Sequence, residues 1–150
     1  RVLRLYIGES KPTRYIYADP HNTNAVTHAV DPQGTLFTLF YDTTGHLYAM
    51  ESASEIFYVA TDGVGSPRVV TDDNGNVLRE ITYDAFGQVL ADSAPEVFMP
   101  IGFSGGLADW DTGLVRMGSR DYDPMAGRFM SLDPASFQGS PLNLYTYVVY

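Results

Sequence analysis

Runs of alternating apolar and polar residues recur along the chain, each placed directly after a glycine. Residues 46–50, 76–83 and 114–117 show this alternation. A period of two residues puts apolar side chains on one face of a strand, and these lengths are those of ordinary strands. Residues 24–30 fit either a strand or a short turn, and no segment has a strong helical pattern. The pattern therefore predicts an all-β fold.

A turn motif of aspartate, two residues and glycine separates these runs. Consecutive copies begin about 10 to 12 residues apart, as at positions 62 and 72 or 72 and 84. An aspartate carboxylate accepts backbone N–H groups, and glycine takes a positive φ without a steric clash. Repetition of strand, turn and strand predicts an antiparallel meander of roughly ten to twelve strands. The predicted turn residues, which would fix the hairpin register, are Asp31, Gly34, Asp42, Gly45, Asp62, Gly65, Asp72, Gly75, Asp84, Gly87, Asp111, Gly113, Asp123 and Gly127.

Three of the aspartates follow a tyrosine, namely Tyr41, Tyr83 and Tyr122. We expect these tyrosines to pack on neighbouring strands, with their hydroxyl groups hydrogen-bonded or solvated. Trp110 and the other tyrosines also suit a sugar-binding platform, but cross-strand packing is the interpretation that we favour.

The composition narrows the classes of function. Eighteen acidic residues against nine basic ones give a formal charge of −9, which argues against nucleic-acid or anionic-membrane partners. The chain has no cysteine, and its three histidines lack the spacing of a metal site. We therefore predict neither a metal nor a cofactor. No apolar run reaches the roughly 18 residues of a membrane-spanning helix, so we expect no membrane insertion by this segment.

The organisation predicted is one shell in two continuous parts. Residues 1–91 carry the regular hairpins, and residues 92–150 form a core segment that starts at the linker-like stretch 92–96. The chain begins without a signal region and ends on an aromatic run, so we interpret it as a segment of a longer protein. An open meander exposes two sheet edges. We expect further repeats of the parent chain, or further copies of this chain, to pair with them.

The repeats and several longer motifs resemble the YD repeats of the RHS and teneurin proteins. The resemblance extends over about residues 57–147. The C-terminal half of the chain is similar to the RHS-associated core. Residues 1–50 match only as repeats. The segments that carry the resemblance are 83–87 (YDAFG), 101–107 (IGFSGGL), 111–118 (DTGLVRMG), 120–129 (RDYDPMAGRF), 133–134 (DP) and 143–145 (NLY).

The resemblance implies a large β-shell wound from a spiralling sheet of YD hairpins and closed by the core segment. Bacterial members of the family enclose a C-terminal toxin in such shells, and the C component of the ABC toxins uses the same shell. Teneurins carry it outside the cell, as adhesion and receptor scaffolds. A secreted or cell-surface location is therefore expected, with an enclosed C-terminal cargo domain as one partner. Core-motif positions implied by the resemblance are Tyr122, Arg128, Asn143 and Tyr145.

Some members of the family also cleave themselves by an aspartyl-protease-like arrangement. The resemblance would assign an arginine and an aspartate of this arrangement to Arg120 and Asp133. A further aspartate lies downstream in the family and has no counterpart in the 150 residues. Because such chemistry needs two acids that share a proton, we predict that the chain is not an enzyme. The alternative is an autoprotease that is completed by residues beyond the chain end.

Three polar groupings have both a structural and a chemical interpretation. Arg120, Asp121, Asp123, Arg128 and Asp133 form either a proteolytic site or a partly buried charge network, and we favour the network. Residues 72–76 offer oxygens for calcium but lack the distal glutamate of a calcium loop, which favours a capped turn. Ser104 superficially resembles a nucleophile elbow, without the strand-to-helix context that such an elbow needs.

The sequence thus predicts a structural, non-catalytic segment of a secreted or cell-surface YD-repeat shell. Its roles would be scaffolding, adhesion or assembly. The alternative is the encapsulating shell of a toxin.

Overall fold

The structure is a computed structural model that describes residues 2–4, as backbone only, 12–132 and 145–147. These residues form two antiparallel sheets, and the prediction of an all-β fold is confirmed. The larger sheet has nine strands in chain order. They are β1 (Val2–Arg4), β2 (Thr13–Ile16), β3 (His28–Val30), β4 (Leu36–Tyr41), β5 (Leu47–Glu51), β6 (Ile56–Thr61), β7 (Pro67–Thr71), β8 (Val77–Tyr83) and β9 (Val89–Asp92).

The smaller sheet has four strands, again in chain order. They are β10 (Leu107–Ala108), β11 (Val115–Met117), β12 (Arg120–Asp123) and β13 (Arg128–Phe129). A 3-10 turn, Phe103–Gly105, precedes β10. The strands described thus slightly exceed the ten to twelve expected. In the ambiguous stretch 24–30, only His28–Val30 is a strand.

The hairpin turns share one hydrogen-bond pattern. In the turn that begins at Asp72, the Asp72 N–H donates to the Asn76 carbonyl at 3.0 Å, and the Gly75 N–H donates to the Asp72 carbonyl at 3.2 Å. Asp72 Oδ1 accepts the N–H groups of Asn74 at 2.9 Å and Asn76 at 2.8 Å. Gly75 closes the turn with a φ of +83°. The same arrangement recurs at Asp42, Asp62 and Asp84.

A bulge accompanies each of these four turns. The strand register shifts between Phe40 and Tyr41, where Tyr41 pairs with Leu47. Equivalent shifts follow at the turns of Asp62, Asp72 and Asp84. A register shift next to a turn that ends in a left-handed glycine is a G1 bulge. Turns of this kind are a common way to close a hairpin.

Two predicted turns differ in detail from the motif. The Asp31 carboxylate accepts the Thr35 N–H at 2.8 Å, and no register shift follows between Val30 and Leu36. The Asp123 turn is one residue longer, because Gly127 stands four residues after the aspartate, and Asp123 Oδ1 accepts the N–H groups of Met125 and Ala126. Both turns keep a glycine at positive φ, Gly34 at +95° and Gly127 at +63°.

The prediction that Asp111 begins a turn is wrong. The turn begins at Asp109, whose N–H donates to the Leu114 carbonyl at 2.9 Å, and whose carbonyl accepts the Gly113 N–H at 2.8 Å. The reason is position along the strand, since Asp109 directly follows β10 as Asp42 directly follows β4. Asp111 lies exposed at the tip of the turn.

One face of the larger sheet carries most of the core. In β8 the buried side chains alternate with more exposed ones, and Arg79, Ile81 and Tyr83 point inward. A stretch that we call the covering segment, residues 94–110, lies over this face. Its residues Met99, Ile101 and Leu107 belong to one buried cluster with sheet residues such as Phe37, Leu39, Val59 and Val70. The rings of Phe37 and Phe98 stack at 4.8 Å.

A second buried cluster joins the end of the larger sheet to the smaller one. It contains Ile81 and Tyr83 from β8, Phe103 from the covering segment, and Val115, Tyr122 and Phe129 from the smaller sheet. Trp110 packs against both clusters. The linker expected at 92–96 is thus the start of a packed segment, because Asp92 and Ala94 both contribute to the interior.

Hydrogen bonding in the exposed turns lowers the pKa of two aspartates. The Thr44 hydroxyl is the main cause at Asp42, followed by the backbone N–H of His46. The Asn76 side chain is the main cause at Asp72, where it donates to Oδ2 at 2.8 Å. The charged carboxylate is therefore the form that closes each turn.

We expect replacement of Gly75 by valine to destabilise the chain by about 1–3 kcal/mol, since a β-branched residue at positive φ is strained. Urea unfolding followed by circular dichroism measures the effect. Gly75→Asn should retain more stability, because asparagine tolerates the left-handed region. The matched control is Gly63→Val in the next turn upstream, where φ is not in the left-handed range and a side chain meets open space. Equal losses at both glycines would contradict the turn geometry.

Acidification below about pH 4 should destabilise the chain through these turns. Because the pKa of Asp72 is lowered by folding, the carboxylate contributes stability at neutral pH that is lost as the pH falls through the folded-state pKa. Urea midpoints at pH 6 and pH 3 should therefore differ less in Asp72→Asn than in the parent chain. Asp73→Asn, at the neighbouring exposed position, is the control and should keep the parent pH dependence. An unchanged pH dependence in Asp72→Asn would refute this role.

Candidate functional site

A buried arginine attaches the covering segment to the sheet. Arg79 is only 1% exposed, at an inward position of β8. Its guanidinium binds Asp92 through two hydrogen bonds, at 3.0 Å to Oδ1 and 2.6 Å to Oδ2. A third bond, at 2.5 Å, runs to the carbonyl of Val97 in the covering segment. The positive charge of Arg79 is therefore neutralised by Asp92 inside the fold.

Trp110 completes this cluster. The Arg79 guanidinium lies over the indole ring, 4.5 Å from its centroid. The indole N–H donates to the Met99 carbonyl at 2.5 Å. The start and the end of the covering segment are thus both held at one point on β8. We call Arg79, Asp92 and Trp110 the arginine clamp.

Sequence reasoning missed the arginine clamp, although a signal for it is present. Arg79 has the same strand parity as Ile81 and Tyr83, which are buried. An arginine among inward-facing residues requires a buried acid, and the nearest aspartate of the following strand is Asp92. The sugar-platform interpretation of Trp110 is disfavoured, since one face of the indole is covered by Arg79.

The three tyrosines before the aspartates lie in the interior or at its border, but their hydroxyls differ in bonding. The Tyr41 hydroxyl donates to the Val26 carbonyl, and the Tyr122 hydroxyl donates to the Phe86 carbonyl, each at 2.8 Å. The Tyr83 hydroxyl is buried and has no hydrogen-bond partner in the part of the chain that the structure describes. Desolvation raises the pKa of all three. They are neutral at physiological pH.

The expected charge network of the core is only partly assembled. Asp121 binds Arg116 instead, at 3.0 Å on the surface, while Asp123 caps its own turn. Arg120 is partly buried, with its Nη1 atom inaccessible to solvent, and its guanidinium carbon lies 3.6 Å from the centroid of the Phe129 ring. Arg128 is exposed, and its backbone forms a bridge with Thr146.

The remaining core-motif positions lie near or beyond the ends of the described ranges. The carbonyl of Tyr145 accepts the Phe129 N–H at 2.9 Å and so extends the smaller sheet. Asp133 and Asn143 lie outside the described residues. The pairing of Arg120 with Asp133 therefore stays a prediction.

Other candidate chemical groups are used structurally. Ser104 has a φ of +53°, its N–H donates to Ser66 Oγ at 3.0 Å, and its Oγ accepts the Tyr147 hydroxyl at 2.8 Å. Both carboxylate oxygens of Asp72 accept hydrogen bonds from its own turn. Across residues 12–132 and 145–147 no group of three or more histidine, aspartate or glutamate side chains is placed to hold a metal ion. The described part also contains no helix of the length and apolarity needed to cross a membrane.

Comparison with proteins of known family agrees with this architecture. The family model described as Teneurin YD-shell matches residues 3–148. Human Teneurin-4 is 40% identical over 148 residues, covering 93% of this chain and 5% of the relative. Zebrafish (Danio rerio) Teneurin-3 is 39% identical over 141 residues, covering 89% of this chain and 5% of the relative. The chain thus spans about a twentieth of the length of these relatives.

Solved toxin structures share the fold. The crystal structure of TcdB2-TccC3 without its hypervariable C-terminal region superposes with a TM-score of 0.65 at 24% identity, over 83% of this chain and 6% of that one. The crystal structure of TcdB2-TccC3-TEV gives a TM-score of 0.69 at 21% identity, over 96% of this chain and 7% of that one. From the family match over almost its whole length, together with the repeated turns and the covered sheet, it follows that the chain belongs to the teneurin YD-shell family.

Proposed function

We propose that the chain is a structural, non-catalytic wall segment of a larger secreted or cell-surface protein, where it serves in scaffolding, adhesion or assembly. The observation that carries this proposal is the arginine clamp. The buried ion pair and the indole ring hold the covering segment on the sheet, so these groups stabilise the wall.

Sequence identity favours the teneurin type of role. The chain is 39–40% identical to Teneurin-3 and Teneurin-4, against 21–24% for the toxin shells. The charge of −9 suits an exposed protein surface and disfavours nucleic acid and anionic lipid as partners. No cofactor is needed for a role of this kind.

We further propose that residues 1–91 and 92–150 act as parts of one shell. The first buried cluster supports this, because it combines sheet residues with Met99, Ile101 and Leu107 of the covering segment. β1 and β9 stand at the ends of the strand order. Further repeats of the parent chain, or further copies of this chain, would pair with such edges.

The alternative role is an encapsulating shell around a C-terminal cargo. The likeness to the TcdB2-TccC3 structures supports it, since one of those proteins was solved without its hypervariable C-terminal region. In that role Arg120 and Asp133 would belong to a self-cleaving site, and residues beyond the chain end would complete this site. Sequence on both sides of this chain would separate the two roles, since a variable toxin-like domain favours encapsulation and a long ectodomain favours adhesion.

Replacement of Arg79 by methionine should destabilise the chain by about 3–5 kcal/mol, because it leaves the largely buried Asp92 carboxylate without its partner. Urea unfolding gives the free energy, and limited proteolysis should show early cleavage within residues 94–110. The double variant Arg79→Met with Asp92→Leu should recover much of the loss, since it removes the uncompensated charge.

The matched control is Arg116→Met, which breaks an ion pair on the surface that has one hydrogen bond, at 3.0 Å to Asp121. It should cost less than about 1 kcal/mol, because both partners remain solvated. If Arg79→Met costs no more than this control, the arginine clamp does not hold the covering segment and the proposed structural role fails.

If the chain does not cleave itself, its intact mass should stay constant during incubation. The purified chain, incubated at pH 5 and at pH 7.5, is expected to remain a single species by intact-mass spectrometry, both as the parent sequence and as Asp133→Asn. A protein extended past Tyr150 is tested in the same way, with Asp111→Asn as a control at an exposed turn tip. A fragment that forms in the parent and in Asp111→Asn, but not in Asp133→Asn, would establish the self-cleaving alternative.

A further inference from the structure

The tip of the Asp72 turn carries the one asparagine of the chain that is followed by glycine. The asparagines are Asn22, Asn24, Asn74, Asn76 and Asn143, and only Asn74 precedes a glycine. A glycine leaves the adjoining backbone nitrogen unshielded, because it has no side chain. Asn74 and Gly75 are both exposed, and a Cβ at Gly75 would meet no atom within 4 Å. The peptide bond between them therefore lies in open solvent.

The neighbours of Asn74, and not its own side chain, close this turn. Asp72 Oδ1 accepts the backbone N–H groups of Asn74 and Asn76, and the Asn76 side chain donates to Asp72 Oδ2 at 2.8 Å. The Asn74 side-chain amide donates instead to Asp73 Oδ1 at 2.8 Å, and both of these side chains are exposed. A hydrogen bond between two solvated side chains contributes little free energy. The Asn74 amide carbon can therefore rotate toward the backbone nitrogen of Gly75.

The Asp62–Gly63 pair in the turn upstream has the opposite arrangement. Asp62 Oδ1 accepts the N–H groups of Val64 at 3.1 Å and Ser66 at 2.9 Å, so this side chain is held by its own turn. A carboxylate is also a poorer electrophile than a carboxamide. Of the two exposed pairs that end in glycine, Asn74–Gly75 is therefore the reactive one.

We propose that Asn74 is a modification site, at which the folded chain converts spontaneously to aspartate and isoaspartate. The backbone nitrogen of Gly75 bonds to Cγ of Asn74, its proton passes through solvent to Nδ2, and the Cγ–Nδ2 bond breaks, so that ammonia leaves. Water then opens the succinimide ring. Opening at Cγ gives aspartate, and opening at the main-chain carbonyl carbon gives isoaspartate. The sum is an amide and water giving a carboxylate and ammonium, without any oxidation or reduction.

The turn controls the rate of this reaction. The Gly75 N–H donates to the Asp72 carbonyl at 3.2 Å, and this bond must open before the nitrogen can attack. The equivalent bonds at Gly34, Gly45 and Gly65 are shorter, at 3.0 Å. Local opening of an exposed turn costs less free energy than global unfolding. Conversion is therefore slower than in an unfolded peptide, but it does not require the sheet to unfold.

Isoaspartate at this position would lengthen the main chain of the turn by one methylene group. The Asp72 carbonyl and carboxylate accept hydrogen bonds from Gly75 and Asn76, on the far side of the added group. These bonds set the register of β8, and register places Arg79 inward. The isoaspartyl form should therefore hold the turn less firmly, whereas the aspartyl form only gains a negative charge.

Incubation of the full chain at pH 8, followed by trypsin digestion and mass spectrometry, measures the conversion. Cleavage after Arg68 and Arg79 releases residues 69–79, and fragment ions distinguish Asn74 from Asn76. Asn74 should convert at least about tenfold faster than Asn76, because the residue after Asn76 is the β-branched Val77. A sample digested without incubation gives the background, and a synthetic peptide of residues 69–79 gives the unfolded rate. An unchanged Asn74 in the chain, when the peptide has fully converted, overturns the proposal.

Two variants test the assignment and the control by the turn. Asn74→Gln should remove the fast conversion, because attack on the longer side chain would form a less favourable six-membered ring. Asn24→Gln, at another exposed asparagine, is the matched control and should leave the parent rate within residues 69–79. Asp72→Ala removes the carboxylate that closes the turn and should raise the rate at Asn74 at least about threefold. Fast conversion in Asn74→Gln, or an unchanged rate in Asp72→Ala, contradicts this mechanism.

The converted chain itself tests the structural consequence. Anion exchange separates it from the parent chain by its added negative charge, and labelling by an isoaspartate-specific carboxyl methyltransferase identifies the isoaspartyl fraction. This fraction should unfold at a lower urea concentration than Asn74→Asp, which has the same charge on an unaltered main chain. Equal midpoints for the isoaspartyl fraction and Asn74→Asp would show that the added methylene does not disturb the turn.

Discussion

The structure depends on a hydrogen bond between an aspartate carboxylate and the backbone of its own turn. At Asp42, Asp62, Asp72 and Asp84 one carboxylate oxygen accepts two N–H groups of the turn. The bond directs the chain back at a fixed residue, and the glycine three positions later accepts the φ that this reversal requires. Register follows from these two requirements, and register decides which side chains face the core.

The arginine clamp is a direct consequence of that register. Because the Asp72 and Asp84 turns bound β8, they fix the strand parity that turns Arg79, Ile81 and Tyr83 inward. The return strand β9 then brings Asp92 within 2.6 Å of the Arg79 guanidinium. Long-range closure of the covering segment over the sheet is thus set by two short-range turns.

Local chemistry explains how much could be predicted from the sequence. The strands, the turns at Asp42 and Asp72 and the all-β class follow from period-two alternation and the aspartate–glycine spacing, which are local signals. The turn at Asp109 was missed because two aspartates stand close together, and only the end of β10 selects between them. The contacts of Arg79 with Val97 and Trp110, and the unpaired Tyr83 hydroxyl, depend on segments that are distant in the sequence, and no spacing encodes them. The Arg79–Asp92 pair lies within one hairpin, where strand parity is a signal for it.

The bulges described at the turns have a mechanical consequence for the wall. Each places one extra residue on a strand and thereby increases the right-handed coiling of its hairpin. The increments share one sense, so they accumulate along the strand order instead of cancelling. The twist of such a wall therefore comes from its hairpin turns, and the total twist grows with the number of repeats that a chain contains.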